Sequence, residues 1–508
     1  MNSSATTSSP LLLGIDCGTQ STKACVFDLD GRQVAAAGSP NTVDNPRENW
    51  AEQDPGQWWL SLKRAVRDAL RSVNSSRIAA LGLAYQRETF TLVDRAGHPV
   101  RPGILWLDTR AQEELHDIER LWGAGAYHRA TGKPLDATSA VARMLWLRKH
   151  EPDVVKTAAR WVDVCSYVVS RLTGRHSTCA AGTDTCGLID LHSQTWIDAH
   201  LDACGLKRDH MPDLVAPGRI VGALTGSAAR ETGLPAGLPV VLAGGDGQVF
   251  SIGMGASAAH SVSLTLGTSI VLGISHEKPL HSPIFRTLRS CVEGSFLLEC
   301  VLQSGTYLLR WFLDEFGGKD SSTEDHWEDQ ARKIPPGSDG LVALPHWWGI
   351  RFPEHVPQAR GAILGWSHRH GRAHLYRCLL EGTGFELKRT ILELEKTSFS
   401  RKTLSAIHAG GGGMRSAVWP LILADILDTP LKSLSIGEAT ALGAALMAGV
   451  GAGFFQDIAQ AAESMVNLDR EILPDPGRAA SYNRTFRNVY VPAFESLTAI
   501  YRKAPQPH

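Results

Sequence analysis

GIDCGT at residues 14–19 and LTLGTS at residues 264–269 lie half a chain apart in a sequence of 508 residues, and their common pattern decides the fold. Each follows a short apolar run and is followed by another, ACVFDLDG after the first and IVLGIS after the second. That order predicts a strand, a tight Gly-Thr turn and a returning strand. Gly18 and Gly267 let the backbone approach a ligand closely, while Thr19 and Thr268 offer hydroxyl and N–H donors suited to phosphate oxygens. A pair of such turns at equivalent places in two halves predicts a nucleotide held between duplicated domains.

Composition narrows the classes. The chain is long enough for two or more domains, each with its own core. Lys+Arg 51 against Asp+Glu 52 leaves a net charge of −1, and no polybasic tail calls for nucleic acid or an anionic membrane. The nine cysteines form no CxxC pair and no zinc spacing, so they read as reduced core thiols. MNSSATTSSP carries no positive charge and reads as a leader without structure rather than a signal peptide. The uncharged, Ala/Gly-rich run from Ala439 to Gln456 reads as a tightly packed core helix rather than a membrane span. A cytoplasmic location is expected.

Working outward from the first turn, strands at 11–16, 23–28 and 33–37 form a meander. Asp54 then caps a helix opened by Pro55, with Trp58, Leu62, Ala65, Val66, Ala69 and Val73 on its apolar face. A strand at 78–84, helical segments near 111–122, 139–149 and 164–173, and the strand at 240–245 complete the first half. In the second half, strands around 262–273 and 291–300 precede helices near 304–316, 371–396, 417–428 and 438–449. The domain boundary is placed near 254, giving units 11–253 and 254–495. Meander first and helices after, twice over, is an α/β pattern of mixed sheets covered by helices, with the ligand in the cleft between halves.

Five groups could carry chemistry. Asp16 ends the first strand beside a phosphate turn, where a carboxylate is repulsive unless a cation bridges; a Mg²⁺-associated role and a turn cap compete there. Lys23 could reach a phosphate. Asp246, in AGGDGQ at 243–248, sits at a strand end among glycines that leave room for a ligand, placed to accept a hydroxyl proton during phosphoryl transfer, with Gln248 on a neighbouring hydroxyl. An ordinary Asp-Gly turn is the alternative there. Arg87 and Glu88, in AYQRETF, could match vicinal hydroxyls, with an ordinary surface Arg-Glu pair as the alternative, and Trp106 and Asp108, in ILWLDTR, could supply a wall and an anchor of the same pocket, with a core tryptophan as the alternative. Finally, AGGGGMRS at 409–416 opens a helix whose first turn holds Pro420. Its glycines invite a flat ligand such as adenine on Gly411 and Gly412. The small residues of GEATALGAALMAG at 437–449 are read as close packing. No GxxxxGK[ST] and no HRD is present, so neither a P-loop nor a protein-kinase site is supported.

In combination, GIDCGTQSTK, WAEQDP at 50–55, QRET with ILWLDTR, GGDGQ, LTLGTS, and AGGGG leading to EATALGAA resemble the FGGY family of carbohydrate kinases, over roughly residues 11–495. The resemblance implies two duplicated actin-like ATPase (ribonuclease H-like) domains, an inter-domain active site, Mg²⁺·ATP as donor, a sugar or polyol as acceptor, and domain closure during turnover. It implies Asp246 as general base and Asp16 as the metal-associated carboxylate. Gly18, Thr19, Gln20, Lys23, Gly267 and Thr268 fall on phosphate-binding positions, Gly411 and Gly412 on adenine contacts, and Ser416 joins that ATP-binding set. Arg87, Glu88, Trp106, Asp246 and Gln248 are the substrate-binding set. QRET resembles glycerol kinases, but LDATSAVARMLW at 135–146 lacks their tyrosine, with Thr138 or a neighbour in its place, and GDGQ differs from their GDQQ. The texture is closer to xylulokinase-like enzymes, including kinases of open-chain ketoses and of autoinducer-2. A ketose or polyol of four to six carbons is therefore expected, with a xylulose-like pentulose foremost and glycerol or a tetrulose as alternatives. An ATP-binding sugar sensor and an ATPase acting on a protein are the rivals from other classes. A homodimer is compatible with the reading.

Overall fold

The computed structural model describes residues 9–318, 323–351, 354, 356, 358–397 and 404–503. The N-terminal leader lies outside them, apart from Ser9 and Pro10. Around the first turn, β1 (Leu11–Cys17), β2 (Ser21–Phe27) and β3 (Gln33–Pro40) form the antiparallel meander, and β4 (Ile78–Tyr85) pairs with β1 in parallel. The strands β5 (Ile220–Ala223) and β6 (Pro239–Gly245) complete a sheet of order β5-β6-β4-β1-β2-β3. β1 and β4 are apolar on both faces because helices cover both sides, as expected for strands central to a layered sheet.

The second half repeats the plan. β7 (Val262–Leu266) and β8 (Ile270–His276) flank the second turn, followed by β9 (Arg286–Arg289) and β10 (Phe296–Leu302). With β11 (Ile407–Gly410), β12 (Leu431–Ser433) and β13 (Arg470–Ile472) they form a sheet of order β9-β10-β8-β7-β11-β12-β13. Antiparallel β10-β8-β7 followed by parallel β11 and β12 matches β3-β2-β1 followed by β4 and β6. The duplication read from the two turns is therefore a duplication of topology. β9 is the extra edge strand, absent from the sequence expectation.

The helices follow their signals. Asp54 accepts the Gly56 N–H and caps α1 (Pro55–Ala69), though the helix stops before Val73. α2 (Asp246–Gly253) leaves β6 directly at Asp246. α3 (Arg372–Glu395), α4 (Trp419–Leu427) and α5 (Ala439–Gly451) stand where the second half predicts its last helices. The placement of α5 is the finding. It comes from the second half of the sequence, yet Ala441 to Ala448 belong to the same core as β1, β4 and β6. A Cβ on Gly14 of β1 would stand 1.8 Å from the Ala441 carbonyl oxygen, and one on Gly82 of β4 equally close to that of Ala444. Only glycine in the strands and small residues in the helix permit this approach. Among the described residues no helix is long and apolar enough to cross a membrane. All nine cysteines are buried and unpaired.

Candidate active site

Asp16 lies one residue before the end of β1, directly across the ladder from Lys23 of β2. Its Oδ1 is buried with no hydrogen-bond partner among the described residues. Burial, reinforced by the charge of Asp246, pushes its carboxyl up to about 7 against the opposing pull of Lys23. Lys23 Nζ pairs at 2.7 Å with Glu438, the residue before α5. The first turn is closed by Gly18 N–H to Ser21 O. The Thr19 hydroxyl, expected to face a ligand, is committed inside the protein. It accepts from Trp106 Nε1 at 2.8 Å and donates to Gln86 Oε1 at 3.0 Å. Gln20 is exposed beside it.

In the second turn Thr268 is exposed, and the Gly267 carbonyl accepts the Thr306 N–H at 2.8 Å. The glycine-rich segment rises against this turn. Gly411 has φ 94°, and a Cβ there would meet the Leu266 carbonyl oxygen at 2.7 Å, so the chain needs glycine. Gly412 is exposed, and a Cβ on it would meet only the Arg415 side chain. Ser416, by contrast, spends its hydroxyl locally: Oγ accepts from Val418 N and Trp419 N at the start of α4.

Asp246 begins α2 at the carboxyl end of β6. Its Oδ1 accepts from Arg87 Nε and from Gly247 N, both at 2.8 Å. Oδ2 has no partner among the described residues, and more than a third of the side chain is exposed. Arg87 is buried and its Nη1 donates to Glu299 Oε2 at 2.9 Å and to Gln248 Oε1 at 3.3 Å. The glycines around Asp246 do leave room, but Arg87 fills it. A Cβ on Gly245 would fall 2.5 Å from Arg87 Cδ, and one on Gly247 would fall 2.7 Å from Arg87 Nη2. Glu88, held at φ 65°, accepts on Oε1 from Arg286 Nη1 at 2.6 Å. Gln248 is buried, and its amide N donates to Asp184 Oδ1 and the Arg289 carbonyl, a brace between halves more than an open contact.

Trp106 is half-buried over the Gly-Thr turn. Asp108 is fully buried and holds Arg110 and the Ala51 N–H, so it anchors the scaffold and does not face a ligand. The Thr138 hydroxyl donates to Asp136 Oδ1 and accepts from Arg351 Nη2 of the other half. Sequence reasoning missed Glu299, Arg286 and Arg351, which the second half contributes.

The FGGY family model for carbohydrate kinases matches with its N-terminal domain over residues 11–253 and its C-terminal domain over residues 262–452. The chain is 30% identical to the xylulose kinase of Escherichia coli K12, covering 94% of this chain and 98% of that one. It is 28% identical to an autoinducer-2 kinase of Yersinia enterocolitica, covering 98% and 97%. Its structure superposes on the xylulose kinase of Rhodospirillum rubrum with a TM-score of 0.86 at 27% identity, covering 97% of this chain and 100% of that one. With both family domains matched in order over most of its length, the chain belongs to the FGGY family of carbohydrate kinases and is a phosphotransferase that uses an alcohol as acceptor.

Proposed function

We propose that this enzyme transfers the γ-phosphate of ATP to a terminal hydroxyl of a ketose or polyol of four to six carbons, with a xylulose-like pentulose as the foremost substrate. The observation that carries the reading is the state of Asp246: one oxygen pinned by Arg87 and Gly247, the other without a partner among the described residues. Oδ2 accepts the hydroxyl proton as the substrate oxygen attacks the γ-phosphorus in line; the bond to the β–γ bridging oxygen breaks and ADP leaves. Arg87 Nη2 and Glu88 Oε2, likewise without partners among the described residues, hold neighbouring hydroxyls against the Trp106 wall. Backbone N–H groups of Thr19, Gln20 and Thr268 in the two turns face the phosphates, and adenine lies on Gly411 and Gly412.

Asp16 fits a divalent cation, because its buried, unpartnered Oδ1 is costly to ionise without one. Among the described residues no three His, Cys, Asp or Glu side chains gather as a ligand set, so Mg²⁺ would be held by Asp16, phosphate and water. Bound there, it would offset charge on the β- and γ-phosphate oxygens.

The substrate class draws support from the relatives named xylulose kinase. The autoinducer-2 kinases, similar over nearly the whole chain, favour a second reading in which the acceptor is the open-chain autoinducer-2 precursor. A panel of glycerol, erythritol, erythruloses, xyluloses, ribuloses, pentitols and that precursor, ranked by kcat/KM, separates them. A ketose or polyol of four to six carbons should lead. Glycerol in first place would overturn the proposal.

A further inference from the structure

We infer that Glu299, on β10 of the second half, is a positioning residue: it holds Arg87 so that only one oxygen of Asp246 is occupied. The inference rests on the reading of Asp246 as proton acceptor and adds to it a dependence on the opposite half of the molecule.

Glu299 is wholly buried in an otherwise apolar strand. A lone carboxylate there needs cations, and two are supplied. Its Oε2 accepts from Arg87 Nη1 at 2.9 Å, and its Oε1 accepts from Arg286 Nε and Nη2, each at 2.6 Å. Arg286 is the cross-strand partner of Glu299 on β9, and its remaining nitrogen, Nη1, holds Glu88. The five side chains thus run Asp246–Arg87–Glu299–Arg286–Glu88, leaving the first half at Arg87 and returning to it at Glu88. Burial alone would raise the Glu299 carboxyl, but Arg286 and Arg87 outweigh it and hold the group at about 2, so it stays ionised.

The geometry gives this chain a task at Asp246. Arginine and carboxylate favour a two-point fork, which would occupy both Asp246 oxygens. With Nη1 drawn toward Glu299 and Gln248, the guanidinium meets Asp246 through Nε alone. Oδ2 and Nη2 are both left for the acceptor. The first turn of α2 is built around the arrangement: a Cβ on Gly247 would lie 2.8 Å from Glu299 Oε2 as well as against Arg87. Released from Glu299, Arg87 can pivot about its Nε contact and bring Nη2 onto Oδ2, and the proton acceptor is lost.

The test is Glu299→Gln in the full-length enzyme, with Glu299→Asp and Asp246→Asn beside it. E299Q keeps the shape and removes the charge. Its kcat should fall by about 10- to 100-fold, the scale of a misplaced catalytic group, with KM for ATP unchanged. E299D restores the charge on a shorter stem and should recover part of that kcat. A merely structural role would lower the unfolding temperature and leave kcat of the folded enzyme alone, so wild-type kcat in folded E299Q overturns the inference. If E299Q does not fold, E299D takes its place, and wild-type kcat there overturns it equally. D246N separates the two levels. Inactive D246N with fully active E299Q removes Glu299 only; active D246N removes the proton-acceptor reading, and the inference with it.

Discussion

At the residue scale, Asp246 has to be fixed and reachable at once. Arg87 and the Gly247 N–H fix it through Oδ1, while Oδ2 has no partner among the described residues and more than a third of the side chain is exposed. Asp246→Asn keeps the shape and removes the proton acceptor. It should lower kcat by about 10²–10⁴, the usual loss for a general base, with ATP binding retained by calorimetry. Gly247→Ala should also lower kcat, by about tenfold or more, because its Cβ lies 2.7 Å from Arg87 Nη2. Wild-type turnover in G247A would mean that Arg87 has room to spare. Asp246, Arg87 and Glu88 could be named as candidates from short motifs with a glycine or a charge pair beside them, and the structure brings Arg87 onto Asp246. Glu299 was not, since its partners lie on other strands; its signal was a single carboxylate within the apolar run Phe296–Leu302. The Thr19 hydroxyl was read outward, yet it points inward. Its partners Gln86 and Trp106 lie far along the chain, where local sequence carries no information about direction.

At the scale of elements, α5 determines how the two halves meet. Its small face was legible as a packing device, but the sheet it covers was not. That face lies on the first half's β1 and β4, and its first turn also meets α2. A Cβ on Gly253 would stand 1.9 Å from the Ala439 carbonyl oxygen, and one on Gly443 would stand 2.3 Å from that of Val249. α2 carries Asp246 at its start, so the two helices couple the proposed proton acceptor to the inter-domain contact. Gly82→Ala should destabilise the protein by about 1–3 kcal/mol or more, because the backbone carbonyl of Ala444 cannot move aside as a side chain could. Thermal unfolding checks this, and an unchanged unfolding temperature would show that α5 shifts freely. The strands flanking the two Gly-Thr turns, by contrast, were legible from the apolar runs beside them; the short β5, β12 and β13 were not, nor was β9, because RTLR at 286–289 alternates charge with no turn signal.

At the scale of the whole molecule, ion pairs tie the two halves together at two places. Besides the chain through Glu299, Arg351 of the second half donates from Nε to Asp136 Oδ2 at 2.7 Å and also holds the Thr138 hydroxyl. Although burial opposes it, the charge of Arg351 and the Thr138 N–H hold the Asp136 carboxyl at about 2, below its ordinary 3.8. A carboxyl depressed on folding adds stability that is present above the unfolded value and lost as pH falls toward the folded one. Asp136→Asn should therefore cost up to about 2 kcal/mol near neutral pH, a difference that shrinks between about pH 4 and pH 2. Denaturant unfolding at several pH values checks it, and a constant difference would mean that the pair contributes through shape alone. The measurement closest to the central claim is mass-spectrometric detection of phosphorylated acceptor together with ADP, for the wild type and for D246N, using the best acceptor found in the panel. One phosphorylated sugar per ADP from the wild type, and almost none from D246N, is the predicted result. ADP formed at the same rate without any sugar, or equal product from both proteins, would contradict it.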